Sequence, residues 1–241
     1  MSGGESDADR PDFWVARWEA GQTGFHQGRP NGMLRRHWAA LGAPAGCPVL
    51  VPLCGKSLDM AWLREQGHEV VGVEVAEQAV AAFFAEQGLD PVRRPQGPLV
   101  RWEADGYRIH QGDLFALDAE ALGPVGAWYD RAALVALPAE ARRRYVAHLD
   151  RLLPPEAPGL LVAVDYPEGE MEGPPFSVPP EEVEALWGER GRPVELLARE
   201  EALDREPRFR ERGLSAFRET AYLIGPRPAV RRRMTGTDRN P

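Results

Sequence analysis

Along the chain, short apolar runs that end in glycine or polar turns alternate with segments whose apolar residues recur every three or four positions. The run Pro48–Cys54 (PVLVPLC) ends at Gly55, and Leu58, Trp62 and Leu63 follow at helical spacing before Gly67, so strand, turn and helix are expected in that order. A second β-branched run, Glu69–Val75, leads into Gln78–Gln87, where Val80, Phe83 and Phe84 share a helical face that Gly88 stops. Between Val92 and Gln111 the period shortens. Leu99–Glu103, the turn Ala104-Asp105-Gly106 and Tyr107–Gln111 read as a hairpin feeding a sheet strand. Further on, a strand is expected near Ala127–Tyr129, a helix over Pro138–Leu153 and a strand over Leu160–Val164. After the Pro-rich loop Pro167–Pro180 comes a helix over Glu181–Trp187. The last apolar runs, Val194–Arg199 and Ser215–Ile224, are separated by a charged stretch without helical period, which predicts a closing antiparallel pair.

Alternating strands and helices call for an α/β fold, a mainly parallel sheet covered on both faces, with ligands beyond the carboxyl ends of the strands. A length of 241 residues suits one domain, expected over residues 11–226 between disordered tails at 1–10 and 227–241. No run approaches the roughly 20 apolar residues that span a bilayer, and the polar start MSGGESDADR does not read as a secretory signal; a cytoplasmic protein without a membrane partner is expected. Cys47 and Cys54 flank an extended run and stand too far apart to bridge, and no metal site is expected. A net charge of −8 argues against nucleic-acid binding, and the basic cluster Arg231-Arg232-Arg233 falls in the carboxyl-terminal tail. Lys56 is the only lysine in a chain otherwise supplied with arginine, a bias that suggests a GC-rich bacterial source.

The chemistry is sought just after each strand. Gly55-Lys56-Ser57 imitates the end of a phosphate-binding P-loop, but Leu50 stands where that loop needs glycine, and one glycine is present where a dinucleotide fingerprint needs three. What remains is a sharp turn. Glu74 lies 19 positions after Gly55, where an acid can accept hydrogen bonds from both ribose hydroxyls of an adenosine. Asp113, in Gly112-Asp113-Leu114-Phe115, can accept from an adenine amino group between apolar neighbours, and Asp130-Arg131 ends the next strand. An adenosine held without a phosphate cradle points to S-adenosyl-L-methionine as cofactor. Before the first strand, Phe13, Trp14, Trp18, Phe25, His26 and Trp38 make a dense aromatic segment in which Trp14 and Trp18 share one helix face. They form either a core stripe or a lid over a sulfonium, whose charge aromatic faces attract.

Phe13-Trp-x-x-x-Trp18, Gly24-Phe25-His26-Gln27, Val51-Pro52-Leu53-Cys54-Gly55-Lys56-Ser57, Gly67-His68-x-Val70-Val71-Gly72-Val73-Glu74, Asp130-Arg131-Ala132-Ala133-Leu134-Val135-Ala136-Leu137 and Gly173-Pro174-Pro175-Phe176 resemble, in order from Phe13 to Ile224, the bacterial thiopurine S-methyltransferases. The resemblance implies a three-layer, Rossmann-like methyltransferase fold with a seven-stranded sheet and a reversed last strand. It implies cofactor contacts at Trp14, Trp18, Leu53, Glu74, Asp113, Leu114 and Arg131, with Phe25 facing the acceptor. The activity implied is methyl transfer from S-adenosyl-L-methionine to the sulfur of a small aromatic or heterocyclic thiol, by a monomer. Methylation of selenium or tellurium compounds and non-catalytic adenosine binding are the alternatives. Arg131, with His26 second, is the candidate for stabilising the attacking thiolate. Where the family carries an arginine two residues before the tyrosine of the last strand, this chain has Thr220 before Tyr222, with Arg218 at the same phase of the strand.

Overall fold

A computed structural model describes residues 7–226. Its strands are β1 (Pro48–Pro52), β2 (Glu69–Glu74), β3 (Val92–Gln96), β4 (Leu99–Ala104), β5 (Tyr107–Gln111), β6 (Ala127–Arg131), β7 (Gly159–Asp165), β8 (Val194–Glu201) and β9 (Arg218–Ile224). Its α-helices are α1 (Pro11–Glu19), α2 (Gly32–His37), α3 (Leu58–Glu65), α4 (Glu77–Glu86), α5 (Ala119–Leu122), α6 (Ala139–Leu152), α7 (Pro180–Gly188) and α8 (Pro207–Glu211). The tails expected at the chain ends lie outside the described residues, except that Asp7–Asp9 form a short 3-10 turn with Ala8 buried.

All nine strands form one sheet in the order β3-β4-β5-β2-β1-β6-β7-β9-β8. The expected seven strands are corrected to nine: β3 and β4 add an antiparallel pair beyond β5 at the sheet edge. The β3 sequence, VRRPQ, is exposed along most of its length and carries no alternating apolar face. A proline is tolerated there because an edge strand leaves one row of N–H groups unpaired. The central strands β5, β2, β1, β6 and β7 run parallel, and β9 pairs antiparallel with both β7 and β8, as the closing apolar runs suggested. The charged stretch between those runs holds the short helix α8, and the last strand starts at Arg218.

Burial on both faces explains why β1 and β2 read as unbroken apolar runs. Leu50, Val71 and Val73 join one core with Trp128, Tyr145, Leu149 and Trp187, and Val49, Val51 and Val70 join the other with Met33, Met60, Phe83 and Trp102. Each fully buried side chain of this size contributes roughly 1.5–3 kcal/mol. The Trp128 and Trp187 rings stack with centroids 4.7 Å apart. Room for Trp128 comes from Gly159 on the neighbouring strand, where a Cβ would stand 1.9 Å from the indole. This packing fixes the carboxyl ends of β1, β2, β6 and β7 side by side, which is where the site forms.

Candidate active site

A basin of about 350 Å³ opens at those strand ends, within the size range of small-molecule sites. Of the residues picked out in the sequence, Trp14, Trp18, Phe25, His26, Leu53, Glu74 and Arg131 line it together. Asp113 and Leu114 are not among its lining residues. Asp113 is exposed and accepts from Phe115 N (2.9 Å), capping the turn after β5, and Leu114 is buried in the core. The residue before them, Gly112, donates its N–H to the carbonyl of Glu74 (2.8 Å).

One wall is backbone. Cys54 N–H donates to Val73 O (3.0 Å), tying the turn after β1 to β2, and Gly55 N–H donates to Glu74 Oε2 (2.8 Å). The other carboxylate oxygen, Oε1, accepts from Ala76 N–H at 2.8 Å. Burial pushes the Glu74 carboxyl up, and these two N–H groups oppose that shift by favouring its charged form. The result is an oriented carboxylate on a turn of positive φ at Gly55, where a Cβ would come within 3.1 Å of the Trp18 ring. Leu53 (φ 45°) and Ala132 (φ 65°), which follow β1 and β6, adopt the left-handed region without being glycine, and both face the basin. Such backbone costs of order 1–3 kcal/mol per residue and clusters at ligand sites. No residue type in the sequence announces it.

The aromatic segment covers this wall. Phe25 packs edge-on against both Trp14 (5.9 Å) and Trp18 (5.6 Å), and Trp14 Nε1–H donates to Ala8 O (2.8 Å). No side chain of α1 is fully buried, so the lid reading of this helix face describes it better than a core stripe. Arg131 Nη1 donates to Phe25 O (3.3 Å), joining lid to sheet. Lys56 also faces the basin and pairs with Glu86 (2.5 Å). Burial, then the Lys56 charge, hold the His26 imidazole below its usual pKa. Beneath Arg131, Asp130 accepts from Tyr145 OH (2.7 Å) and Leu134 N (3.1 Å), and burial raises it to about 6.

Of the opposite wall, only Pro174 and Pro175 fell within a motif read in the sequence. That wall consists of Val162 and Val164 of β7, Phe217 and Glu219 at the start of β9, Pro174 and Pro175 of the Pro-rich loop, and Arg208, Phe209 and Arg212 of the α8 region. The loop is pinned by Phe176 N–H to Val135 O (2.7 Å) and Tyr166 OH to Pro175 O (2.8 Å). Thr220 is buried and does not line the basin; opposite Ala163 in the strand pairing, it points away from the face that carries Glu219. Arg218 shares its phase and pairs with Asp165 (3.5 Å). Thr220 therefore leaves this wall untouched.

A group with an adenosine and no phosphate fits this cavity: Glu74 presents an oriented carboxylate, the Gly55 turn lets a ligand approach the backbone, and aromatic rings close over it. Residues 9–227 match the profile of the family described as thiopurine S-methyltransferase. A relative of that name from Bordetella petrii is 46% identical over 213 residues, covering 88% of this chain and 97% of its own. Another from Pseudomonas aeruginosa is 49% identical over the same shares. Among solved structures, a Burkholderia thailandensis 1,6-didemethyltoxoflavin-N1-methyltransferase with bound S-adenosylhomocysteine superposes with a TM-score of 0.60 at 17% identity, covering 93% of each chain. A glycopeptide N-methyltransferase complexed with sinefungin gives a TM-score of 0.54 at 15% identity, covering 83% of this chain and 96% of its own.

Proposed function

The chain belongs to the thiopurine S-methyltransferase family, and from that premise we propose how its basin divides the work of methyl transfer. It is an S-adenosyl-L-methionine-dependent methyltransferase of small thiols. The observation that carries the site assignment is the Glu74 carboxylate, which lines the basin with one oxygen held by Gly55 N–H and the other by Ala76 N–H. In this reading Glu74 would hold the ribose hydroxyls, Trp14, Trp18 and Leu53 would enclose the rest of the cofactor within the basin, and Asp113 with Leu114, outside the lining, would take the adenine only at its edge. Phe25 faces the acceptor. An aromatic or heterocyclic thiol, a thiopurine among them, suits a wall built from Phe209, Phe217, Val162 and two prolines.

The cofactor supplies an electrophilic methyl group on a sulfonium. This chain's residues do the rest by binding, aligning and excluding water. A dry aromatic basin favours the transfer because opposite charges of thiolate and sulfonium cancel as the bond forms, and alignment converts a bimolecular encounter into a unimolecular one. The Arg131 guanidinium faces the basin and, with Arg208 and Arg212 of the opposite wall, favours the thiolate. Burial, then the Lys56 charge, lower the His26 pKa and so favour its uncharged imidazole in this lining. Working as a monomer in the cytoplasm, as one domain over residues 11–226, completes the reading; the one continuous sheet supports its single-domain part. Among the described residues no helix is long and apolar enough to cross a membrane.

Calorimetric titration with S-adenosylmethionine, S-adenosylhomocysteine and NADH tests the assignment. Saturable binding of the first two without the third is expected, and binding of NADH alone would overturn it.

A further inference from the structure

Among the described residues, three carboxylates line the basin. Each oxygen of Glu74 accepts one backbone N–H, its remaining capacity being assigned above to the ribose, and Glu206 pairs with Arg208 at 3.0 Å. Glu219 differs. Its Oε1 accepts from Asn31 Nδ2 at 3.0 Å, while among the described residues Oε2 has no hydrogen bond or ion pair. It faces the basin from the acceptor wall, beside Phe217 and opposite Val164 in the strand pairing.

Its orientation is built from below. Asn31 Oδ1 caps α2 by accepting from Met33 N (2.8 Å) and Leu34 N (3.3 Å), so the amide group must turn its NH₂ toward Glu219. Asn31 N–H in turn donates to Asp59 Oδ1 (2.6 Å), and Tyr129 OH donates to Asp59 Oδ2 (3.0 Å). Asn31, Asp59 and Tyr129 are all buried. This network holds one oxygen of a carboxylate that lines the basin, and the other oxygen has no partner among the described residues. An oriented, half-satisfied carboxylate calls for a donor.

We infer that Glu219 is the proton acceptor for heterocyclic thione substrates, those whose acidic proton sits on the ring nitrogen next to the C=S carbon. The inference rests on the methyltransferase reading above. In such an acceptor the neutral sulfur forms the new bond to the methyl carbon, and the carbon–sulfur bond of the donor breaks with its electron pair going to the donor's sulfur. The C=S bond becomes C–S, and the ring N–H proton passes to Glu219 Oε2 while its electron pair becomes the ring C=N bond. A carboxylate is a suitable base here because alkylation at sulfur makes that N–H strongly acidic. An aryl thiolate has no such proton, and the Glu219 charge repels it. Glu219 therefore sets a preference for thiones over simple aryl thiols, while Arg131 serves both.

The test compares wild type with Glu219→Gln on pyridine-2-thione and on thiophenol. The ratio of kcat/KM values, thione over thiophenol, is expected to fall about 10²-fold, the usual contribution of a positioned base. Without any methyl donor, calorimetry should show pyridine-2-thione binding the variant about tenfold more weakly, as expected on losing a hydrogen bond to a charged group. Glu219→Asp should recover part of both effects. Equal affinity of both proteins for S-adenosylhomocysteine establishes that the variant is folded. An equal loss for both acceptors, or no loss with the thione, would overturn the inference. A wild-type protein that methylates neither acceptor would instead overturn the methyltransferase reading.

Discussion

The two walls of the basin are built on different principles. On the side proposed for the cofactor, Gly55 and Ala76 N–H each hold one oxygen of Glu74, where the parallel strands β1 and β2 end side by side. On the acceptor side, Phe217, Glu219, Pro174, Arg208 and Arg212 come from a strand start, a loop and a short helix, and Glu219 keeps an oxygen unspent. The first arrangement reads one ligand and tolerates little change. The second can exchange side chains without disturbing the sheet, which lets acceptor choice vary over a fixed cofactor site.

Removing the Glu74 carboxylate should produce the largest effect. Glu74→Ala deletes the charged acceptor and strands two buried N–H groups, each worth about 1–3 kcal/mol, so cofactor affinity should fall by 10² or more, with a lower melting temperature. Titration calorimetry together with thermal melts reads both, and unchanged affinity would remove Glu74 from the site. The same wall has a pH signature. Because burial raises the Glu74 pKa, its charged form is lost as pH falls through a value above the ordinary glutamate range. Cofactor binding should weaken toward mildly acid pH, and Glu74→Gln should flatten that dependence.

Next in size is the residue that joins the aromatic lid to the sheet. Arg131→Met should lower kcat/KM for aryl thiols by about 10²-fold with cofactor affinity nearly kept, the pattern of an interaction made chiefly in the transition state. A pure rise in cofactor Kd would place Arg131 on the cofactor side alone. Phe25→Ala should raise the acceptor KM by roughly tenfold, since it removes an aromatic face worth 0.5–1.5 kcal/mol beyond its buried area. The smallest effect is expected at Thr220. Because it points away from the basin, Thr220→Val should leave thiol turnover within about twofold, as for residues without contact to the reacting groups.

The contrast between the walls also explains what the sequence made legible. Gly55 and Glu74 are joined by one turn, one helix and one strand, so local periodicity fixes their separation and the spacing can be read directly. The central strands were legible for the same reason, since burial on both faces writes continuous apolar runs. Glu219 was not legible, because it reaches the basin only when β9 pairs with β7, and its partner Asn31 is 188 residues away in the chain. The edge strand β3 carries no apolar alternation. Leu53 and Ala132 hide their left-handed backbone behind ordinary side chains. Asp113 and Leu114 were placed by a motif at the correct strand end, and the basin's lining stops short of them.

The central claim is that this basin brings a sulfonium methyl group to a thiol sulfur. Incubating the protein with S-adenosylmethionine carrying a ¹³C-labelled methyl group and with 6-mercaptopurine, then following the label by NMR, tests it most directly. The account predicts a new resonance in the S-methyl range that grows with enzyme and is nearly lost with Glu74→Ala. Label that stays on the donor, or that appears on a ring nitrogen of the acceptor, would contradict it.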